Sequence, residues 1–291
     1  MRLQLIPLLF CLLLSLPAQA GMLERLFAPQ AELWSFWDTQ DATATQTIDH
    51  SAWDDFLGRY LQQGDDGINR LRYAEVSASD RTALQDYIAQ LQAIPIRQYK
   101  RDEQLAYWIN LYNSLTVDIV LQHYPVASIR DIDISPGLFA DGPWGKKLLI
   151  IEGQAVSLND IEHRILRPIW HEPRLHYALN CASLACPNLH QRAYTAQDMD
   201  QTLDTVASAY VNHPRGVRIE KGQLIVSSIY SWFREDFGKD EAAVIAHLLN
   251  YAEAELAQSL QGLTRIDDDE YDWRLNDTQP PPKDTDPGDA Y

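Results

Sequence analysis

The chain has 291 residues, enough for one large domain or two small ones, each with a real core. At 46% apolar and 22% charged residues it is globular material and not a low-complexity or fibrous chain. A formal net charge of −17, with no basic patch interleaved with aromatics, excludes nucleic-acid binding for the chain as a whole.

Residues 1–20 carry Arg2, an apolar run from Ile6 to Leu16 and the small-x-small step Ala18-Gln19-Ala20. That pattern predicts a signal peptide cleaved after Ala20, and hence a periplasmic or secreted protein. The apolar run is too short for a comfortable span, and no later segment reads as transmembrane, so no integral membrane protein is expected after cleavage. Residues 21–47 read as a mature leader and linker, with Trp34 and Trp37 expected to pack on the body of the protein. Residues 48–265 read as a single globular domain. Residues 266–291 are acidic and proline-bearing and read as a disordered tail.

Within the domain, residues 48–62 place Trp53, Phe56, Leu57 and Tyr60 at helical spacing. A second helix is expected to be capped by Ser79 and ended by Pro95. Residues 101–124 predict the central, buried helix, opened by Asp102 and Glu103 and stopped by Pro125. Tyr107, Asn110 and Asn113 fall at three-residue steps on one of its faces. Buried amides need partners, so this stripe either fastens a neighbouring loop or lines a site. Residues 126–147 form a Gly- and Pro-rich loop suited to covering a cleft, and residues 148–157 predict a hairpin. Ser157 and Asp160 resemble a capping box for a helix closed by Pro168, on which Glu162 and His163 point in different directions. Further on lie a helix over 197–212, a hairpin around Glu220-Lys221-Gly222-Gln223, the stretch Ser228–Gly238, and a helix from Asp240 to about Leu260. Trp144, Tyr230 and Trp232 read as core or cleft-wall aromatics. Arg234, Glu235 and Asp236 read as a paired charge cluster in which one carboxylate has catalytic potential.

Chemistry concentrates in Arg174–Leu189, which holds Cys181 and Cys186 with His176 and Asn180 in an otherwise core-like segment. Three readings of the cysteines stand side by side. A disulfide suits an even count in an oxidising compartment, although so short a loop contributes only about 2 kcal/mol. A nucleophilic thiolate needs a neighbour that lowers its pKa and a base, with His176 or His163 as candidates. In a regular strand, however, His176 and Cys181 point to opposite faces. A metal site would draw on Cys181, Cys186, His176 or His190, and Glu162 or His163, at a spacing unlike common zinc patterns.

The segments Tyr107–Asn113, Ser157–Glu162 and His176–Pro187, in that order, resemble the core of the domain of unknown function 547. The resemblance extends over roughly residues 50–260 and is strongest between Asp102 and Tyr194. It implies no reaction. Its layout of a long helix, then strands, then a histidine motif is similar to papain-like and transglutaminase-like folds, an analogy of fold alone. The central helix here carries Asn110 and Asn113 where those folds place a cysteine, and Cys181 follows His176.

The expected fold is α+β, several helices packed on a small antiparallel sheet. The leading functional reading is a cysteine-dependent hydrolase or acyltransferase. In it Cys181 is the nucleophile, His176 the base, and Asn110, Asn113 and Glu162 are orienting groups. No cofactor is implied, and the ligand is a small molecule or peptide. The alternative is a binding or scaffold module in which Cys181 and Cys186 are a structural disulfide.

Overall fold

The computed structural model describes residues 28–137 and 141–280. The expected signal peptide, the first residues of the leader and the end of the expected tail lie outside them. The chain folds around one helix, α3 (Arg101–His123), which follows α1 (Ser51–Tyr60), the ladder β1 (Leu61–Gln63) with β2 (Asn69–Leu71), and α2 (Ala78–Ala93). Every residue of α3 from Gln104 to Leu121 is buried, over a helix about 34 Å long at 1.5 Å per residue. Acidic Asp102 and Glu103 in its first turn and His123 in its last complement the helix dipole.

The hairpin β3 (Leu149–Ile151) and β4 (Gln154–Val156) comes next. It leads into a π-helical turn, Asp160–Leu166, that continues as α4 (Arg167–Trp170). Then come α5 (Leu175–Ala178), α6 (Met199–Val211), β5 (Val217–Glu220), β6 (Gln223–Ser227), α7 (Ile229–Trp232) and α8 (Arg234–Phe237). The described chain closes with α9 (Glu241–Leu249), α10 (Ala254–Leu260) and β7 (Asp268–Glu270). The α+β class is as expected, with the strands divided among three small ladders. The first two are antiparallel hairpins, and in the third β7 adds parallel to β6. Among the described residues no helix is long and apolar enough to cross a membrane.

Two apolar clusters form the interior. The larger surrounds α3 and takes in Trp53, Tyr87, Leu149, Ile161 and Leu175. The smaller holds Tyr177, Tyr210, Val226, Tyr230 and Leu248. The leader joins the larger one, as expected: Trp37 is buried with its ring edge-on to Trp108, centroids 5.1 Å apart.

Several local expectations are corrected. The cap of α2 is Ser77, whose Oγ accepts the Asp80 N–H at 3.1 Å, and not Ser79. Ser157 and Asp160 do form the reciprocal box, Asp160 N–H to Ser157 Oγ at 3.2 Å and Ser157 N–H to Asp160 Oδ2 at 2.8 Å. Pro168 does not close that helix. It lies inside the continuous helical run, the carbonyls of His163 and Arg164 in the preceding turn accept the Glu32 and Trp34 N–H groups at 2.9 Å, and the helix ends at left-handed His171, φ 49°. The helix expected over 240–260 is broken in two. Asn212 holds the break, donating from Nδ2 to Tyr251 O at 2.8 Å and accepting the Glu253 N–H at 2.6 Å.

The largest correction concerns residues 266–280, which are not a free tail. Beyond β7, Leu275 N–H donates to Ala127 O (2.8 Å), Asn276 N–H to Ala182 O (3.0 Å), and Leu71 N–H to Asn276 O (2.8 Å). Tyr271 packs on the smaller cluster and Trp273 and Leu275 on the larger, and Asn276 is buried beside them, contacts that the acidic composition conceals. This strap runs across the seam between the two apolar clusters.

Candidate functional site

The seam is lined by Arg174–Leu189. Tyr177 packs into the smaller cluster, whereas Leu175, Ala178, Leu179 and Ala182 pack into the larger. The segment is not a regular strand, which would set His176 and Cys181 on opposite faces. One turn of helix, α5, carries His176, and extended chain from Leu179 carries Cys181.

Side-chain amides fix its path. Asn113 Nδ2 donates to Ala178 O at 3.0 Å while its Oδ1 accepts the Asn180 N–H at 2.9 Å. Asn180 braces the next turn, donating to Pro187 O (2.7 Å) and accepting from the Ala182 N–H (2.9 Å). Ala182 turns the chain at a left-handed φ of 61°. Asn110 performs the same two-point clamp on the backbone of Tyr194, at 2.8 and 2.9 Å. Both asparagines of the α3 stripe therefore bond main chain, Asn113 beside the cysteines and Asn110 further along.

The two thiols are free and in contact, with sulfurs 3.1 Å apart. Cys186 is buried, its Sγ accepting the Cys181 N–H at 3.0 Å. Cys181 is half-buried and lies 3.1 Å from the Tyr271 hydroxyl and 3.3 Å from Ser183 Oγ. Ser183 donates to the Tyr271 oxygen at 3.0 Å, which leaves the tyrosine proton for the sulfur. The Cys186 thiol, and then the Ser183–Tyr271 hydroxyl chain, whose last proton comes from the tyrosine, with the Ser183 backbone, hold the Cys181 pKa below the ordinary thiol range against the opposing effect of burial. Burial and the neighbouring Cys181 push the Cys186 thiol up.

A second polar group lies across Tyr112 of α3. The Tyr112 hydroxyl donates to Glu162 Oε2 at 3.0 Å, and Glu162 Oε1 is 3.9 Å from His176 Nδ1. Burial first, then the charge of Glu162 and the two cysteines, raises the Tyr112 pKa well above its usual value, so it remains a donor. His176 Nε2 is 2.7 Å from Asp236 Oδ2, and the ring stacks on Phe233 with centroids 4.5 Å apart. Arg167, its side chain only 2% exposed, reaches the same carboxylate oxygen at 2.5 Å and Glu235 at 3.1 Å. Against the cost of burial, His176 and Arg167 together lower the Asp236 pKa to about 2. His163 Nδ1 lies 3.0 Å from Arg167, and burial takes the His163 pKa down to about 4, so it is the neutral acceptor of that bond. Glu162 and His163 both face inward, because the wider π-helical turn presents a broader face than the regular helix assumed from sequence.

The sequence candidates thus fall into two adjoining groups. Cys181 pairs with Cys186, Ser183 and Tyr271, and its hydrogen bonds include no imidazole. His176 pairs with Asp236 and faces Glu162. His190 bonds the Arg192 carbonyl and belongs to neither. Among the described residues no three His, Cys, Asp or Glu side chains gather as a metal site, so the mixed ligand set drawn from sequence is not assembled. Sequence reasoning missed Tyr271, Ser183, Arg167 and the role of Tyr112. It marked Asp236 only as one of a charge cluster. An aromatic wall adjoins Cys181: Tyr271, Trp232 and Trp273 lie with centroids 4.6–5.6 Å apart, and Trp144 meets Trp273 at 5.8 Å. The indole N–H groups of Trp232 and Trp273 are buried and without an acceptor among the described residues.

The described chain is therefore an α+β protein whose two apolar cores meet at a dithiol, with a carboxylate–imidazole group beside it. Residues 96–211 match the family model described as "Protein of unknown function, DUF547", in agreement with the resemblance carried by the motifs. The matched segment contains α3, the β3–β4 hairpin, the π-helical turn, the cysteine loop and α6. No curated protein and no solved structure matches the chain.

Proposed function

We propose that this protein is an exported, thiol-dependent hydrolase or acyltransferase with Cys181 as its nucleophile. The observation that carries the reading is the setting of Cys181, half-buried at the seam, with the Tyr271 hydroxyl and the Cys186 thiol positioned to stabilise its thiolate. Cys181 Sγ bonds to the acyl carbon and the leaving group departs with a proton. His176 and Glu162 are the nearby acid–base groups, with Asp236 fixing the imidazole. Asn113 positions the Cys181 backbone by clamping residues 178–180, and Asn110 holds Tyr194 behind it. The unpartnered indole donors of Trp232 and Trp273, whose rings pack on Tyr271, suit a small acyl compound or peptide that brings carbonyl acceptors. Export rests on the pattern of residues 1–20.

The test is acylation by p-nitrophenyl acetate, read by nitrophenol release and by peptide mass mapping. The expected result is a stoichiometric acetyl group on Cys181, lost in Cys181→Ser, with turnover slowed about 100-fold in His176→Ala. Absence of the adduct in the wild-type protein, or equal release by Cys181→Ser, overturns the proposal. Thiols silent until denaturation and reduction would instead identify a binding or scaffold module stapled by Cys181 and Cys186.

A further inference from the structure

The loop between the cysteines is held by its own hydrogen bonds. Asn180 ties Ala182 to Pro187, Ser183 O accepts the Cys186 N–H at 3.2 Å, and Tyr210 and Arg215 each donate to a carbonyl of the loop at 2.7 Å. The strap adds two more, Leu184 N–H to Arg274 O and Ala185 N–H to Asp272 O. A sulfur–sulfur bond is not needed to shape this turn, because the reduced chain already presents the two sulfurs in contact. The pair is also asymmetric: Cys181 is half-buried, whereas Cys186 is 4% exposed and sits behind it under the Cys181 N–H.

From this geometry we infer a further activity: Cys181 and Cys186 form a redox-active dithiol that exchanges with low-molecular-weight disulfides. Cys181 is the attacking sulfur and Cys186 the resolving one. The Cys181 thiolate attacks one sulfur of the incoming disulfide. A mixed disulfide forms, the original S–S bond breaks, and the other half leaves as a thiolate. Cys186 then gives up its proton and attacks Cys181 Sγ, closing the internal disulfide and expelling the second half. The protons of the two cysteines end on the two released thiols. The incoming disulfide is reduced by two electrons and the dithiol is oxidised by two. The lowered Cys181 pKa and raised Cys186 pKa fit these roles, since the attacking sulfur is the one that ionises first. This activity requires attack on sulfur only, and so does not rest on the acyl-transfer reading.

The experiment equilibrates the native protein with graded mixtures of glutathione and glutathione disulfide. It then quenches with acid, alkylates under denaturing conditions and maps the peptides by mass, which separates Cys11 from the pair. The expected result is a reversible passage of Cys181 and Cys186 together from two alkyl groups to none. Cys186→Ser should stop at a glutathione adduct on Cys181, and Cys181→Ser should leave Cys186 a free thiol. Three outcomes overturn the inference: a wild-type dithiol that persists in excess glutathione disulfide, an internal disulfide that glutathione does not reduce without denaturant, or an adduct on Cys186 in Cys181→Ser. If the variants lose their circular dichroism, the wild-type titration decides alone. An acetylated Cys181 in a protein whose pair never oxidises sinks this inference and spares the acyl-transfer reading, and the converse result does the opposite.

Discussion

Replacing Asn113 with alanine removes one side chain and leaves two main-chain groups without partners, the carbonyl of Ala178 and the N–H of Asn180. All three residues are buried, so water does not take over. An unsatisfied buried group costs about 1–3 kcal/mol, which puts the loss for the two at about 2–6 kcal/mol. Urea denaturation should show this as a lower midpoint at unchanged slope. The same change at Asn110 strands both backbone groups of Tyr194 and should cost a similar amount. The two variants separate in their chemistry. Asn113 holds the chain one residue before Cys181, so Asn113→Ala should alter the pH profile of Cys181 alkylation, and Asn110→Ala should not. A loss below about 0.5 kcal/mol for Asn113→Ala would refute the clamp, because it would mean the freed groups find other partners.

Three other outcomes follow from the same bonds. Tyr271→Phe removes a donor worth about 0.5–1.5 kcal/mol to the Cys181 thiolate and should raise the midpoint of its alkylation by roughly half to one pH unit; an unchanged midpoint would deny Tyr271 that role. Asp236→Ala should cost about 3 kcal/mol in thermal or urea unfolding, since the more exposed Glu235 is then the one carboxylate bonded to Arg167 among the described residues, and a loss under about 1 kcal/mol would contradict the pairing. Burial holds His50, His163 and His247 at about 4, below the ordinary 6.5. Between those values the unfolded chain binds more protons than the folded one, so stability is fully present above about pH 6.5 and falls as pH drops toward 4, by on the order of 1–3 kcal/mol for each ring. Unfolding free energies flat from pH 7 to 4.5 would show that these rings charge in place.

What could be read from the sequence was whatever local pattern fixes. The apolar run of residues 104–121 between acidic residues and Pro125 dictates a buried helix whatever surrounds it. Both later hairpins announce themselves by apolar runs around Glu152-Gly153 and Lys221-Gly222. The clamp of Asn113 on the cysteine segment and the facing of Glu162 and His176 were also within reach, since each stands out as a polar group in an apolar setting. The pairings inside the site were not. His176 meets a carboxylate 60 residues away on a one-turn helix, and Cys181 meets a hydroxyl 90 residues away. No periodicity reports contacts of that range. The strap was hidden because its few apolar residues, Tyr271, Trp273 and Leu275, stand among acidic ones, so an average over the stretch reads as solvent-loving. The π-helical turn was hidden because local pattern does not separate i→i+5 winding from the ordinary helix.

The strap follows both cores in the chain, yet Tyr271 is one of the groups that set the character of Cys181. Its other anchors span the molecule, from Tyr73 to Asn276 across 203 residues and from Tyr124 to Asp277 across 153. Contacts so distant in sequence form late, after the loops they close have been drawn together. A chain cut short before residue 271 would keep both cysteines and most of both cores, but with Cys181 missing its tyrosine donor. Reactivity at the seam thus becomes a signal of docking: the sulfur acquires its full setting only when the strap has found its place.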